Sequence, residues 1–213
     1  MSRTESKMVE LKSVAPMFEM LDVVKGESWS RDDVFAQSWD DDLSDQENMM
    51  PGGGTSKHGR HGMLIMFICV HCPFVKHVEK ELAAIGRDYA GRIGIAAVSS
   101  NDVSAYPEDS PEHMKEQALR LGFNFPYLFD ETQETARSYG AACTPDFFLF
   151  NAAMELVYRG QLDDSRPRRP SGAGNDIPVT GKDLRAAMDD VIAGKRPDPN
   201  QNQSIGCNIK WRE

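Results

Sequence analysis

The segment Leu64-Ile-Met-Phe-Ile68 runs directly into Cys69-Val-His-Cys-Pro73, and Phe74-Val-Lys-His77 follows. The first five residues are a short continuous apolar run, which predicts a strand that is covered on both faces of a sheet. Pro73 is typical of the first turn of a helix, because its missing N–H would have no partner there. Apolar residues at three- and four-residue spacing then extend this helix from about Cys72 to about Asp88.

This arrangement brings a cysteine to the start of a helix. A helix N-terminus carries roughly half a positive charge and unpaired N–H groups, so a sulfur placed there ionises below its free pKa of about 8.5. We therefore expect Cys72 to be a reactive thiolate, with His71 or Lys76 close enough to assist. The alternative is a buried and inert thiol.

Composition excludes several classes of function. The 213 residues allow one well-buried core, with 40% hydrophobic and 27% charged residues. A formal net charge of -9 leaves no excess of Lys and Arg for phosphates, which argues against nucleic-acid binding. No apolar run reaches the ~18 residues of a membrane span, so we expect no membrane partner and a cytoplasmic location. Four cysteines are too few for a disulfide scaffold, and without a secretory signal the Cys-x-x-Cys pair indicates catalytic or metal-binding use.

The rest of the chain predicts a mixed α/β fold with helices on both faces of the sheet. Strands are expected at 93–98 and 125–129, an antiparallel hairpin at 146–150 and 155–158, and helices at about 110–121, 131–139 and 180–194. Residues 1–35 indicate a hairpin or an edge strand. Residues 38–62 are polar and glycine-rich, which predicts a mobile loop.

This order of elements, with a cysteine after the first core strand and Thr144-Pro145 before a hairpin strand, resembles the thioredoxin superfamily over about residues 60–195. The five-residue step from Phe67 to Cys72 is similar to the spacing between the strand aromatic and the first active cysteine of thioredoxins. Four segments look similar to a peroxiredoxin-like redoxin branch related to alkyl hydroperoxide reductase and thiol-specific antioxidant proteins: His71 to His77, Thr144 to Phe150, Tyr158 to Asp164 and Ser204 to Trp211.

The resemblance implies an N-terminal extension with a mobile loop over 1–62, a thioredoxin-like domain over 63–195 and a C-terminal tail over 196–213. The chain also departs from both parent patterns. Val75 stands where thioredoxins carry their second cysteine. Cys69 and Ile65 stand where peroxiredoxins carry Thr or Ser and, four residues earlier, Pro.

Three other cysteines are candidates to resolve a disulfide formed at Cys72. Cys69 is the first, but three extended residues span ~10 Å and a disulfide needs Cα atoms within about 7 Å. A turn at Val70-His71 would therefore be required. Cys143 is a second candidate or a small core residue, and Cys207 on the tail could fold back, pair with another chain or simply dock.

Three further residues are candidates for the site. Pro145 corresponds, in the resemblance, to the cis-proline that faces the active cysteine. His71 could lower the pKa of Cys72 or shuttle protons, or it could be a solvated surface group. Arg159 resembles the arginine that peroxiredoxins place near their thiolate, although a salt bridge to Asp163 or Asp164 is the simpler account.

The leading hypothesis is a cytoplasmic thiol oxidoreductase without a cofactor or metal. Cys72 would attack a disulfide or peroxide substrate, another cysteine would resolve the product, and a protein thiol would supply electrons. A second hypothesis is a copper or zinc carrier that uses Cys69, Cys72 and His71 or His77. A third is a redox-sensing interaction module. The oligomeric state stays open.

Overall fold

The structure is a computed structural model that describes residues 3–36, 61–168 and 174–212. The strands in these ranges are β1 (Arg3–Glu5), β2 (Glu19–Asp22), β3 (Ser28–Ser30), β4 (Gly62–Phe67), β5 (Ile93–Ser99), β6 (Tyr127–Phe129), β7 (Cys143–Thr144), β8 (Asp146–Asn151), β9 (Leu156–Tyr158) and β10 (Ile205–Asn208). The helices are α1 (Arg31–Ala36), α2 (Pro73–Asp88), α3 (Pro111–Leu121), α4 (Glu134–Tyr139) and α5 (Lys182–Ile192).

The larger sheet has the strand order β3-β2-β6-β5-β4-β8-β9. Strands β4, β5 and β6 run parallel to one another, whereas β8 pairs antiparallel with β4 and with β9. Every residue of β4 and β5 is buried, as their continuous apolar runs predict. The predicted mixed sheet is confirmed.

Helices cover both faces of this sheet. Because side chains alternate along β4, Leu64 and Met66 point into a core that includes residues of α2, α3 and α5. Met63, Ile65 and Phe67 point into a second core with residues of α1 and α4. Phe67 packs edge-on against Phe148, with 5.7 Å between ring centroids. No helix within the described ranges is long and apolar enough to cross a membrane.

Most predicted elements occur within a few residues of their expected bounds. Helix α4 begins at Glu134 and not near residue 131, because Gln133 has a positive φ of 63° that interrupts the helical path. The N-terminal hairpin is formed by β2 and β3, somewhat later than the apolar pieces suggested. The predicted mobile loop lies, over residues 38–60, outside the described residues, and Gly62 already belongs to β4.

The two ends of the chain meet in a smaller sheet of order β1-β10-β7. Strand β10 pairs antiparallel with β1 on one side and with β7 on the other. The tail segment that carries Cys207 is therefore docked against the rest of the chain. Its docking position is the loop that joins α4 to β8, directly above the start of α2.

Candidate active site

Cys72 lies immediately before α2, with Pro73 in the first turn of the helix. Its backbone is extended, with φ -65° and ψ 123°, as expected of a residue that precedes a helix. The side chain is 0% exposed. As a thiol it donates to the carbonyl oxygen of Thr144, 3.1 Å from the sulfur. The predicted nucleophile is at the helix start, but other parts of the chain cover it.

Cys69 reaches Cys72 through a bend at Val70 and His71. The two cysteine side chains are hydrogen-bonded, and Cys69 Sγ also lies 3.3 Å from Thr144 Oγ1. Asp109 fixes the bend, because its Oδ1 accepts the backbone N–H groups of Val70 at 2.9 Å and His71 at 3.0 Å. The turn that a Cys69–Cys72 pair requires is therefore present.

Cys207 reaches Cys72 from the other end of the chain. The register of β10 against β7 places Cys207 opposite Thr144. The Cys207 side chain is 1% exposed and is hydrogen-bonded to Cys72. The tail thus delivers a third thiol to the site, and all four cysteines are free and buried.

Opposing effects act on the charge of Cys72. Burial opposes its ionisation, and so does the Thr144 carbonyl that accepts the thiol proton. Hydrogen bonds from the side chains of Cys207, Cys69 and Thr144, together with the Val75 N–H, act in the other direction. The donors outweigh burial and lower the pKa of Cys72 well below the usual thiol value. A thiolate at a helix start is the expected outcome.

Cys69 has the opposite tendency. Its hydrogen bond to Cys72 keeps the proton on Cys69, and burial and the negative charge of Asp109 add to this effect. The pKa of Cys69 is therefore raised well above its usual value. The pair is polarised, with Cys72 as the anion and Cys69 as the proton donor.

The side chain of His71 is largely covered and belongs to the site, which contradicts the alternative of a solvated surface group. Its side chain is 8% exposed, its Nδ1 lies 2.5 Å from Asp109 Oδ2, and its ring stacks on Tyr106 with centroids 5.7 Å apart. The hydrogen bond to Asp109 raises the pKa of His71 although burial acts against it. The Tyr106 ring that stacks on His71 also contacts the ammonium group of Lys210, whose Nζ lies 5.5 Å from the ring centroid. The imidazole is thus held beside the bend, with Asp109 as its partner.

The peptide bond between Thr144 and Pro145 is cis. Cys143, one residue earlier, points its Sγ toward the Pro145 carbonyl oxygen at 3.6 Å. Burial, with smaller contributions from Asp146 and Cys72, raises the pKa of Cys143 far above the usual thiol range. Burial also raises the pKa of Asp146 to about 8. These properties favour Cys143 as a core residue over Cys143 as a resolving thiol.

Arg159 does not have either of its expected roles, which were a position near the thiolate and a salt bridge to Asp163 or Asp164. Its Nε donates to the carbonyl oxygen of Val9 at 2.6 Å, and its NH1 donates to Gln201 Oε1 at 2.7 Å. Asp163 instead accepts backbone N–H groups, and Asp164 pairs with Lys182. The short loop after β9 is the reason: it turns Arg159 toward the two ends of the chain. The predicted salt bridge is wrong, and no hydrogen bond of the described residues joins Arg159 to Cys72.

Two functional residues were not recognised as such in the sequence. Asp109 lies just ahead of the predicted helix start at Ser110, where an acid is ordinary. Thr144 was noted only as the neighbour of Pro145, yet both its hydroxyl and its carbonyl contact cysteine sulfurs. The one available signal was the need for an acceptor: a turn at Val70-His71 inside a core leaves two N–H groups to satisfy.

Cys69, His71 and Asp109 place their ligand atoms within 4.8 Å of one another, in the described part of the chain. However, the Asp109 carboxylate already accepts two backbone N–H groups at Oδ1 and a 2.7 Å bond from Asn101 at Oδ2, beside His71. A metal ion would have to displace these bonds. The cluster therefore fits a hydrogen-bond centre better than a metal centre.

Comparison with known proteins agrees with this geometry. Residues 55–159 match the model of the AhpC/TSA family. No curated protein matches the chain. Among solved structures, an uncharacterized conserved protein from Geobacillus kaustophilus is 44% identical, with a TM-score of 0.84 over 100% of this chain and 97% of the other. A hypothetical protein from Sinorhizobium meliloti 1021 is 38% identical, with a TM-score of 0.82 over 98% of both chains.

A more distant structure shows the fold alone. The pneumococcal exposed lipoprotein thioredoxin from Streptococcus pneumoniae strain TIGR4 is 14% identical, with a TM-score of 0.53 over 82% of this chain and 99% of the other. The fold and the cysteine before α2 define a thioredoxin-like protein. The AhpC/TSA match covers the segment that holds Cys69, Cys72 and Cys143, and it makes this part of the chain similar to the redoxin branch of the thioredoxin superfamily.

Proposed function

We propose that this protein is a redoxin that acts as a dithiol–disulfide oxidoreductase, in which Cys72 attacks a substrate disulfide. The observation that carries the proposal is the placement of two thiols, Cys69 and Cys207, in hydrogen-bond contact with one cysteine at a helix start. A nucleophile with a lowered pKa and a neighbouring thiol with a raised one is the arrangement that exchange requires. Cys69 or Cys207 resolves the intermediate.

The steps balance as follows. The Cys72 thiolate attacks one sulfur of the substrate disulfide, so a mixed disulfide forms and the other substrate sulfur leaves and takes up a proton. A second protein thiol, once deprotonated, attacks Cys72 Sγ, forms an intramolecular disulfide and releases the second substrate thiol. The substrate disulfide is reduced by two electrons and the protein dithiol is oxidised by two. Two external protein thiols restore the dithiol by the reverse exchange and are themselves oxidised to a disulfide.

Peroxide reduction is the finer alternative within the same class, and two observations weigh against it. At the position where peroxiredoxins carry a threonine or serine hydroxyl, this chain has the Cys69 thiol, which is hydrogen-bonded to Cys72 and lies close to Thr144. Arg159 is held by Val9 and Gln201, so it does not supply a positive charge to a peroxide at Cys72. We therefore propose disulfides as substrates and give antioxidant activity a lower rank.

The test is reduction of insulin disulfides, with peroxide consumption measured in parallel. Replacement Cys72→Ser removes the nucleophile and is expected to lower the exchange rate on the order of 10³-fold or more. Cys143→Ser is the matched control, and it should leave the rate within about twofold because that thiol does not ionise readily. Rapid peroxide turnover with no insulin reduction would overturn the choice of substrate. A Cys72→Ser protein as active as wild type would overturn the proposal itself.

The copper or zinc carrier stays a second candidate only through the Cys69, His71 and Asp109 cluster. Metal analysis of protein purified without chelator tests it, and stoichiometric copper or zinc that is lost in Cys69→Ser would favour it. The cytoplasmic location is likewise a proposal, and cell fractionation tests it.

A further inference from the structure

Asp109 is a fully buried carboxylate, 0% exposed, that the thiol chemistry does not use directly. It ends a short 3-10 turn, Pro107–Asp109, and precedes α3. An ionised carboxylate away from water is costly unless hydrogen bonds satisfy its oxygens. Such a group at this place therefore calls for a structural or functional reason.

The partners of Asp109 belong to two parts of the site. Oδ1 accepts the backbone N–H groups of Val70 and His71, the two residues of the bend between the cysteines. Oδ2 accepts the Asn101 amide at 2.7 Å and faces His71 Nδ1. These bonds hold the carboxylate ionised, because despite its burial they lower the pKa of Asp109. Both residues of the bend thus donate a backbone N–H to the same carboxylate oxygen.

We propose that Asp109 is a positioning residue for the thiol pair, whose carboxylate fixes the Val70-His71 bend and so holds Cys69 Sγ against Cys72 Sγ. The inference rests on the proposed function, since it assigns a role in forming the Cys69–Cys72 disulfide. Without the acceptor, the chain between the cysteines is free to extend, and an extended three-residue step spans ~10 Å. In this role Asp109 acts on the thiol pair through the two backbone N–H groups of the bend that its Oδ1 accepts.

The tail cysteine supplies an internal control. Cys207 is placed by the pairing of β10 with β1 and β7. Lys210, three residues further, is held by its N–H on Asn101 Oδ1 at 2.9 Å and by its carbonyl, which accepts from Asp102 N–H and from the Gln133 amide. Only the bond to Asn101 is linked to Asp109, because the Asn101 amide also donates to Asp109 Oδ2, whereas the strand pairing that places Cys207 is not. Loss of that carboxylate should weaken the Cys69 pair and spare the Cys207 pair.

The experiment measures each disulfide at equilibrium with glutathione. The Cys69–Cys72 pair is followed in a Cys207→Ser background, and the Cys72–Cys207 pair in a Cys69→Ser background. Asp109→Ala is expected to lower the equilibrium constant of the first pair about tenfold or more, because the bend loses its hydrogen bonds to a charged group. The second pair should change less than about threefold.

Asp109→Asn is the conservative variant, because one amide oxygen can still accept both bend N–H groups. It should keep most of the Cys69–Cys72 equilibrium constant that Asp109→Ala loses. If Asp109→Ala does not fold, Asp109→Glu carries the test: the displaced carboxylate should weaken the first pair and not the second. Thermal unfolding of every variant accompanies the redox measurements.

The inference is wrong if Asp109→Ala leaves the equilibrium constant of the Cys69–Cys72 disulfide unchanged. It is also wrong if Asp109→Ala weakens both disulfides equally, or if Asp109→Asn weakens the Cys69–Cys72 disulfide as much as Asp109→Ala does. A different failure marks the proposed function. If Cys72 forms no disulfide in either background while Asp109 is intact, the exchange mechanism is wrong and the inference falls with it.

Discussion

Cys69 and Cys207 approach the same sulfur from parts of the molecule that are held in different ways. Cys69 follows the central strand β4, in a bend fixed by the buried Asp109 carboxylate. Cys207 lies on a four-residue strand whose partners, β1 and β7, contribute three and two residues. Both thiols lie in the same core, but Cys69 follows a central strand, whereas Cys207 is on a strand that is held by short pairings.

This difference bears on access to Cys72. The nucleophile is 0% exposed, so a substrate disulfide can reach it only after part of its cover moves. The bend cannot move without breaking the bonds of a buried carboxylate, which is costly. Strand β10 separates with the loss of its short pairings to β1 and β7. We therefore expect the tail to open first and the bend that carries Cys69 to stay in place.

The largest effect on activity is expected when both thiols that contact Cys72 are removed. In a protein with Cys69→Ser and Cys207→Ser, the mixed disulfide at Cys72 has no adjacent thiol to resolve it. Turnover should fall on the order of 10³-fold, since the resolving step changes from intramolecular to intermolecular. Mass spectrometry should detect the trapped mixed disulfide at Cys72.

The single variants compare two arms of the site, which are the bend that carries Cys69 and the tail strand that carries Cys207. The comparison ranks them by how fast each thiol resolves the mixed disulfide. Each should resolve the intermediate more slowly than wild type but far faster than the double variant. If one single variant is as slow as the double variant, the thiol that it lacks is the resolving cysteine and the other arm plays no part. If the double variant turns over at the wild-type rate, neither arm resolves.

Gly206→Ala separates the arms without removing a sulfur. A Cβ at this position would run into the Thr144 backbone carbonyl, so β10 must shift away from β7. Such a forced displacement costs about 1 to 3 kcal/mol, which predicts roughly tenfold faster alkylation of Cys72 in the reduced protein. The Cys72–Cys207 disulfide should weaken and the Cys69–Cys72 disulfide should not.

Ile205→Ala is the control for this variant, because it trims a side chain of the same strand without a backbone clash. Alkylation of Cys72 at the wild-type rate in Gly206→Ala would contradict the view that the tail covers the site. Equal weakening of both disulfides would contradict the independence of the arms.

The charge of Cys72 distinguishes the arms more finely. Among the groups that lower its pKa against burial, the hydrogen bond from Cys207 has the largest effect and that from Cys69 the next largest. Cys207→Ala should therefore raise the pKa of Cys72 more than Cys69→Ala does. Titration of the thiolate absorbance measures both, and Cys207→Ser, which keeps a donor, should raise it least. The reverse order of the two alanine variants would contradict this account.

The same charge links stability to pH. A thiol whose pKa is lowered in the folded state stabilises it fully above the unfolded thiol value near 8.5, and loses this contribution as pH falls through the folded pKa. Reduced wild type should thus gain up to about 1.4 kcal/mol per pH unit over Cys72→Ser as pH rises toward 8.5. The difference in denaturant unfolding between the two proteins isolates this effect from the histidines. A difference that is flat with pH would show that Cys72 is not ionised.

The local sequence pattern predicted the segment from β4 to α2, which carries Cys69 and Cys72, but it did not predict how the tail with Cys207 packs. The apolar run of β4, the proline of α2 and the step from Phe67 to Cys72 are all short-range, so strand, helix and nucleophile position could be read directly. The approach of Cys207 depends on strand pairing between distant parts of the chain, which no local period encodes. Asp109 was missed for the same reason, since its role is defined only by the N–H groups that the folded chain brings to it.

Arg159 gives the smallest expected effect and shows what the second arm depends on. Its guanidinium joins Val9, near β1, to Gln201, near β10, so it ties together the two chain ends that form the small sheet. Arg159→Ala should lower the free energy of unfolding by about 1 to 3 kcal/mol and leave the exchange rate within about twofold. Arg159→Lys tests the geometry, because one ammonium cannot reproduce both bonds of the planar fork. A large loss of rate at unchanged stability would instead return this arginine to the thiolate, as the family resemblance first suggested. The expected result separates an arginine that supports the tail from one that acts on the substrate.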